Sequence, residues 1–334
     1  MATNGRIDVH AHSMSPAYRA GIEAIGGIIR TPDWSPELAL QHMDRHGIAT
    51  GILSLSTPGT FLGDSAKAIE LAKRVNDEHA GYIKSRPDRF GAFGTLPLPD
   101  VDSACKEIAR ALDDLKMDGI GLLANYEGVY LGQPEFDPVL AELDKRKAVV
   151  LIHPNNHPTT HEIKKTISAG IGNFLAEFLF DTTRAAMNLI FNDALHRFPN
   201  IRWILCHSGG TLPFIAWRIG EIAERQMNGA PWDTQYPSPY MSRHKFKITR
   251  EDFLADVGQF YFETALSSGR QPLATTKEIA QPERILFGSD WPYCPDDMTD
   301  DMIKARQDSG LFDAAQQVAI DRGNAEKLFP RLAS

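Results

Sequence analysis

Short apolar or β-branched runs recur along the chain at residues 7–12, 50–56, 90–96, 119–125, 148–153, 201–207, 260–266 and 284–290. Each has the length of a strand and too little polarity for an exposed face, as expected where a parallel sheet is covered on both sides. Between them lie stretches with apolar residues three and four positions apart, at 35–46, 64–86, 101–116, 137–146, 173–198, 212–227 and 271–280. That spacing predicts helices. Eight strands alternating with helices predict an α/β fold, a parallel sheet closed as a (β/α)8 TIM barrel. The tail 302–330 also has helical spacing and is expected to pack outside the barrel.

Local signals sharpen several boundaries. Ser35-Pro36 followed by Glu37-Leu38 reads as an N-cap with proline in the first turn, and Gly47 as the residue that ends that helix. Asp100 opens the next but one. Residues 228–240 hold three prolines and a glycine, and 157–172 are of mixed polarity. Both are expected as long loops on the functional rim. A chain of 334 residues with 43% hydrophobic content suits one catalytic domain over 1–334.

Charge and cysteine content then remove whole classes of function. Asp and Glu outnumber Lys and Arg, 43 to 35, for a net charge of −8, which argues against a nucleic-acid partner. Cys105, Cys206 and Cys294 are odd in number and lack CxxC spacing, so neither a disulfide framework nor a cysteine zinc site is expected. No basic segment leads into a long apolar one, and no run reaches membrane-spanning length. A cytoplasmic protein without membrane contact is expected.

Four of the apolar runs finish in potential metal ligands: Ile7-Asp-Val-His10-Ala-His12, Val149-Val-Leu-Ile-His153, Trp203-Ile-Leu-Cys-His207 and Ile285-Leu-Phe-Gly-Ser-Asp290. Residues two apart on a strand project to one side, so His10 and His12 can grip one ion. Active sites of such barrels collect at the C-terminal strand ends, where His153 and Asp290 would complete the ligand set. His207 is open to two readings, ligand or acid/base, and the second is preferred, with Gly209 and Gly210 letting backbone approach a ligand. Strand four ends without a lysine that could bridge two metals, so one ion is expected, zinc or alternatively manganese. Asp8 shares the parity of His10 and His12 and is expected to face inward below them as support. Glu263 is expected to meet substrate or a rim donor. His42, His46, His79 and His196 are expected on outer helix faces, and His157, His161 and His244 in loops. Cys206 is expected to face away from His207 as an inert packed thiol.

The order His10-Ala-His12, His153-Pro154, His207-Ser-Gly-Gly210 and Gly288-Ser-Asp290-Trp-Pro292 resembles the amidohydrolase superfamily, in particular its aminocarboxymuconate-semialdehyde decarboxylase-like branch. Trp34-Ser-Pro-Glu-Leu38, Phe93-Gly-Thr-Leu-Pro97 and Phe260-Tyr-Phe-Glu-Thr-Ala265 extend the likeness over almost the whole chain. Tyr130-Leu-Gly132, the stretch 265–268 and Leu328-Phe-Pro-Arg-Leu332 are most similar to 6-methylsalicylate decarboxylases.

The resemblance implies that His10, His12, His153 and Asp290 bind the metal and that His207 is the catalytic histidine. It implies that Arg218 reaches a neighbouring subunit's site to hold a substrate carboxylate, hence a homodimer, and that Arg30 is a second carboxylate-binding arginine. The expected reaction is nonoxidative decarboxylation of an ortho-hydroxylated aromatic acid, with Asp290 protonating the ring and His207 assisting. The alternatives are a mononuclear hydrolase of a lactone or amide, a decarboxylase of aminocarboxymuconate semialdehyde, and a metal-binding protein without activity.

Overall fold

The computed structural model describes residues 5–25, 31–160, 172–227 and 248–333. Eight parallel strands follow one another around a nearly closed barrel in chain order: β1 Arg6–His12, β2 Ile48–Ser54, β3 Phe90–Gly94, β4 Gly119–Leu123, β5 Val149–His153, β6 Arg202–Leu205, β7 Tyr261–Glu263 and β8 Ile285–Leu286. Each leads to a helix on the outside: Pro36–Arg45, Ser65–Ser85, Val101–Ala109, Asp137–Lys145, Glu177–Phe191, Leu212–Met227, Arg270–Ile279 and Asp296–Gln307. The expected barrel is the observed one.

Capping follows the sequence where it was legible. Ser35 Oγ accepts from the Leu38 N–H at 3.2 Å, Pro36 occupies the first turn, and Gly47 leaves the helix at φ +63. Asp100 caps its helix by accepting from the Ser103 N–H at 2.9 Å. Three elements are additions: helix Pro16–Ala24, helix Arg250–Val257 with its Thr249/Asp252 capping box, and a hairpin of Asn125–Tyr126 with Val129–Tyr130. The expected loops 157–172 and 228–240 fall mostly outside the described residues, as do His161, His244 and Arg30.

Two apolar layers hold the barrel. Ile120, Val150, Ile152, Trp203 and Leu205 turn outward to meet the helices, while Ile7, Val9, Phe93, Leu151, Ile204 and Leu286 fill the interior. Burying such side chains contributes roughly 1.5–3 kcal/mol each. The tail corrects one expectation. Helix Asp296–Gln307 does lie outside, but Leu328, Phe329 and Leu332 join the interior cluster, with the Phe329 ring edge-on to Phe93 at 5.9 Å. The tail, with its short helix Asn324–Leu328, therefore covers interior residues. Among the described residues, no helix is long and apolar enough to cross a membrane.

Candidate active site

The strands aim four buried side chains at one point. His10 and His12 come from β1, His153 ends β5, and Asp290 lies four residues beyond β8. Sequence alone puts Asp290 and His207 at strand ends, but β8 stops at Leu286 and β6 at Leu205. Both residues instead adopt left-handed backbone, φ +60 at Asp290 and +55 at His207, a conformation no strand contains.

Each of the three β1 and β5 imidazoles is oriented through its outer nitrogen. His10 Nδ1 lies 2.9 Å from Glu263 Oε1, and His153 Nδ1 lies 2.7 Å from the Pro154 carbonyl. His12 Nδ1 lies 3.0 Å from Ser54 Oγ, whose own proton goes to the Ala11 carbonyl at 3.1 Å. Those acceptors assign the proton to Nδ1 and turn the lone pair of each Nε2 inward. His10 Nε2 and His12 Nε2 then face one another at 2.9 Å, and Asp290 Oδ1 lies 3.0 Å from the second and 3.5 Å from the first. Lone pairs so close repel unless a positive charge lies among them. A metal ion with bonds of about 2.1 Å spaces its donors about 3 Å apart, so the residues present fit such an ion.

At His153 and Asp290 protonation favours the same state, while His10, despite burial, is raised above its ordinary value by Cys206, Glu263 and Asp290. Burial and the neighbouring imidazoles of His12 and His10 hold His153 well below its ordinary pKa, which keeps it neutral, as a metal ligand must be. Burial works against ionising Asp290, yet His10, His12 and His207 hold its carboxyl well below the usual range. Its second oxygen, Oδ2, lies 3.4 Å from His207 Nε2. His207 is thus drawn to the carboxylate, beside the imidazole cluster.

A profile of the amidohydrolase family matches residues 7–331. The chain belongs to that family. It is 35% identical to decarboxylase yanB of Aspergillus niger over 98% of this chain and 88% of that one. The 6-methylsalicylic acid decarboxylase of Penicillium expansum is 32% identical, over 98% of this chain and 97% of its own. Among solved structures, a dihydroxybenzoic acid decarboxylase from Polaromonas, with bound manganese and the inhibitor 2-nitroresorcinol, superposes with a TM-score of 0.80 at 25% identity, covering 98% of this chain and 97% of that one.

Glu263 is the site residue that sequence reasoning left without a firm role. In this amidohydrolase it is fully buried and accepts from His10 Nδ1, from the Ala265 N–H at 2.7 Å and from the His207 N–H. One carboxylate thereby orients the β1 histidine and the β6 loop together. A Cβ at Gly288 would stand 2.0 Å from Glu263 Oε2, so glycine is what admits the carboxylate there. The same logic revises Gly210, at φ +66: a Cβ there would meet the Leu179 carbonyl at 2.1 Å, so this close approach is to the protein's own backbone.

Parity arguments fail at two places for one reason, irregular backbone. The β1–β2 register shifts between Asp8 and Ala11, and it is Ile7 and Val9 that join the interior cluster. Asp8 keeps its supporting role by another route: it accepts from the His10 N–H at 3.0 Å, the Ser289 N–H at 3.1 Å and the Ser289 hydroxyl at 2.5 Å, bracing β1 and the segment that carries Asp290. Cys206 does not face away from the site. It joins the barrel interior with its thiol against His10, and burial pushes that thiol up to about 12.

The remaining expected residues divide. His196 is on the surface, paired with Asp193 at 2.8 Å, and His157 stacks on Tyr130 at 5.7 Å. His42, His46 and His79 are buried, against expectation. Helical spacing does not reveal which further elements cover the outer face of a helix. Arg218 is exposed on helix Leu212–Met227.

Proposed function

We propose that this amidohydrolase is a metal-dependent, nonoxidative decarboxylase of an ortho-hydroxylated aromatic acid such as 6-methylsalicylate or another salicylate. The observation that carries the reading is the division of labour within Asp290: Oδ1 joins the imidazole cluster while Oδ2 turns to His207. The activities named for the Aspergillus, Penicillium and Polaromonas proteins support the reaction type and substrate class. His10, His12, His153 and Asp290 would hold one divalent cation, zinc or manganese. When bound, that ion supplies a Lewis acid for the substrate's carboxylate and phenolic oxygens.

The chain's own residues manage the proton. Asp290 delivers it to the ring carbon that bears the carboxyl group, interrupting aromaticity. The carbon–carbon bond then breaks, its electron pair returns to the ring, and CO2 leaves. The balance is one carboxylate and one proton in, one arene and one CO2 out. A carboxyl held below the usual range rests ionised, so Asp290 must take up a proton before each turnover. His207 Nε2, beside Oδ2, returns a proton from solvent.

In this reading the whole chain is one catalytic domain of a cytoplasmic homodimer. Phe214 and Trp217, 79% and 59% exposed, share one helical face with Arg218. Apolar surface of that size belongs against a partner, here a second copy in whose site Arg218 holds the substrate carboxylate. Arg30 is the second candidate for that anion.

The test is CO2 release from salicylate, 6-methylsalicylate, 2,6-dihydroxybenzoate and aminocarboxymuconate semialdehyde, beside hydrolysis of a lactone, by metal-replete enzyme. We expect one CO2 and one phenol per ortho-hydroxy acid consumed. Lactone opening without CO2 release from any acid would replace the decarboxylase with the hydrolase.

A further inference from the structure

A second group of imidazoles and carboxylates lies where helix Pro36–Arg45 meets the start of helix Asp296–Gln307. His42 and His46 are one helical turn apart, so their side chains share a face, with ring centroids 4.6 Å apart. Both side chains are almost wholly removed from solvent. Asp296 Oδ1 lies 2.7 Å from His42 Nδ1 and 3.4 Å from His46 Nε2. On the far side of His46, Nδ1 lies 3.0 Å from Asp300 Oδ1.

Protons alone serve this arrangement poorly. A neutral imidazole carries one N–H. If His42 and His46 both give their protons to Asp296 Oδ1, His46 Nδ1 is left with no hydrogen bond, its lone pair 3.0 Å from a carboxylate oxygen of Asp300. His42 Nε2 meanwhile is buried with no hydrogen-bond partner, which is costly for a polar atom.

We propose that His42 Nδ1, His46 Nε2 and Asp296 Oδ1 form a second divalent-cation site, separate from the catalytic cluster. The three atoms lie within 4.8 Å of one another, close enough for one ion to reach all three. Two imidazoles and a carboxylate suit zinc and its borderline-soft neighbours over calcium or magnesium. Asp296 is 39% exposed, so the ion enters from solvent and keeps a water on that side. Arg45 opposes binding, because its guanidinium lies 3.6 Å from Asp296 Oδ2 and 2.9 Å from Asp300 Oδ2. Affinity is therefore below that of the catalytic cluster. The site abuts the catalytic segment all the same: His42 stacks on Trp291 at 5.0 Å, next in sequence to Asp290.

Equilibrium dialysis of chelator-stripped protein against zinc tests the proposal, with a His12→Ala/Asp296→Asn double variant as the blank for non-specific uptake. Wild type should take up two equivalents above the blank. Asp296→Asn and His46→Gln should each lose the weaker equivalent and keep the tighter one, and His12→Ala should lose the tighter one. Asp296 is partly exposed, so its variant serves even if His46→Gln fails to fold. One equivalent in the wild type, or two in Asp296→Asn, overturns the site.

Discussion

The backbone N–H of Asp290 donates to the carbonyl oxygen of His10 at 2.7 Å. This bond belongs to the seam that closes the barrel, where Val9 also donates to Phe287 at 3.0 Å and His12 to Trp291 at 2.7 Å. Closing the fold and assembling the imidazole–carboxylate cluster are thus one event. Strand β8 is only two residues long, so what fixes Asp290 is this seam together with the Asp8–Ser289 brace.

Loss of the proton path should spare the fold. In the proposed mechanism Asp290→Asn removes the acid and a metal ligand, and His207→Ala the group that recharges it, so each should lower kcat by at least about 10² to 10⁴. Neither side chain belongs to an apolar cluster, so near-native thermal unfolding should accompany the loss. Steady-state kinetics of the His207→Ala protein at saturating metal, with a kcat equal to the wild type's, would remove His207 from the reaction.

Glu263 should govern metal affinity ahead of chemistry. Glu263→Gln puts an amide against three N–H donors and loosens His10, so the metal should bind about 10- to 100-fold more weakly. Excess metal should restore much of the activity. A variant with wild-type affinity and a lowered kcat would instead place Glu263 in the proton path.

Arg218 and His207 should complement one another. Arg218→Ala leaves its own cluster intact, so mixing inactive Arg218→Ala and His207→Ala subunits should regenerate some active sites if the arginine acts across a dimer. No recovery after subunit exchange, verified by a size-tagged copy, contradicts the shared site.

Acid should destabilise the protein through His79. Burial brings its pKa down to about 4 from an ordinary 6.5, so the unfolded chain takes up the proton first. Stability therefore falls as pH drops through 6.5 and goes on falling until about 4, by up to about 3 kcal/mol. Asp8, raised by burial to about 6, works in the opposite sense over part of that window. The difference between wild type and His79→Gln cancels Asp8 and isolates the histidine. Parallel stability curves for the two from pH 7 to 4 would refute the assignment.

The barrel was legible because its strands are buried on both faces and its helices are not, so runs and periodic stretches alternate in the sequence. The imidazole cluster was legible because His10, His12 and His153 stand within or at the end of such runs. What lay beyond that logic depends on backbone that leaves the strand. The left-handed turns at His207 and Asp290 and the register shift in β1 change which way Cys206 and Asp8 point. Glu263 ends its strand in the structure but lies inside the run 260–266, and its partner His10, 253 positions away, gave no sign in the sequence. His42 and His46 look like solvent-facing residues until the helix from Asp296 onward covers them.

Anomalous diffraction at the metal edge, from crystals of the metal-replete protein, tests the central claim most directly. The account predicts a strong peak within bonding distance, about 2.0–2.2 Å, of Nε2 of His10, His12 and His153 and of an Asp290 oxygen. Active crystals with no peak at that point, or a peak that leaves His153 or Asp290 unbound, contradict it.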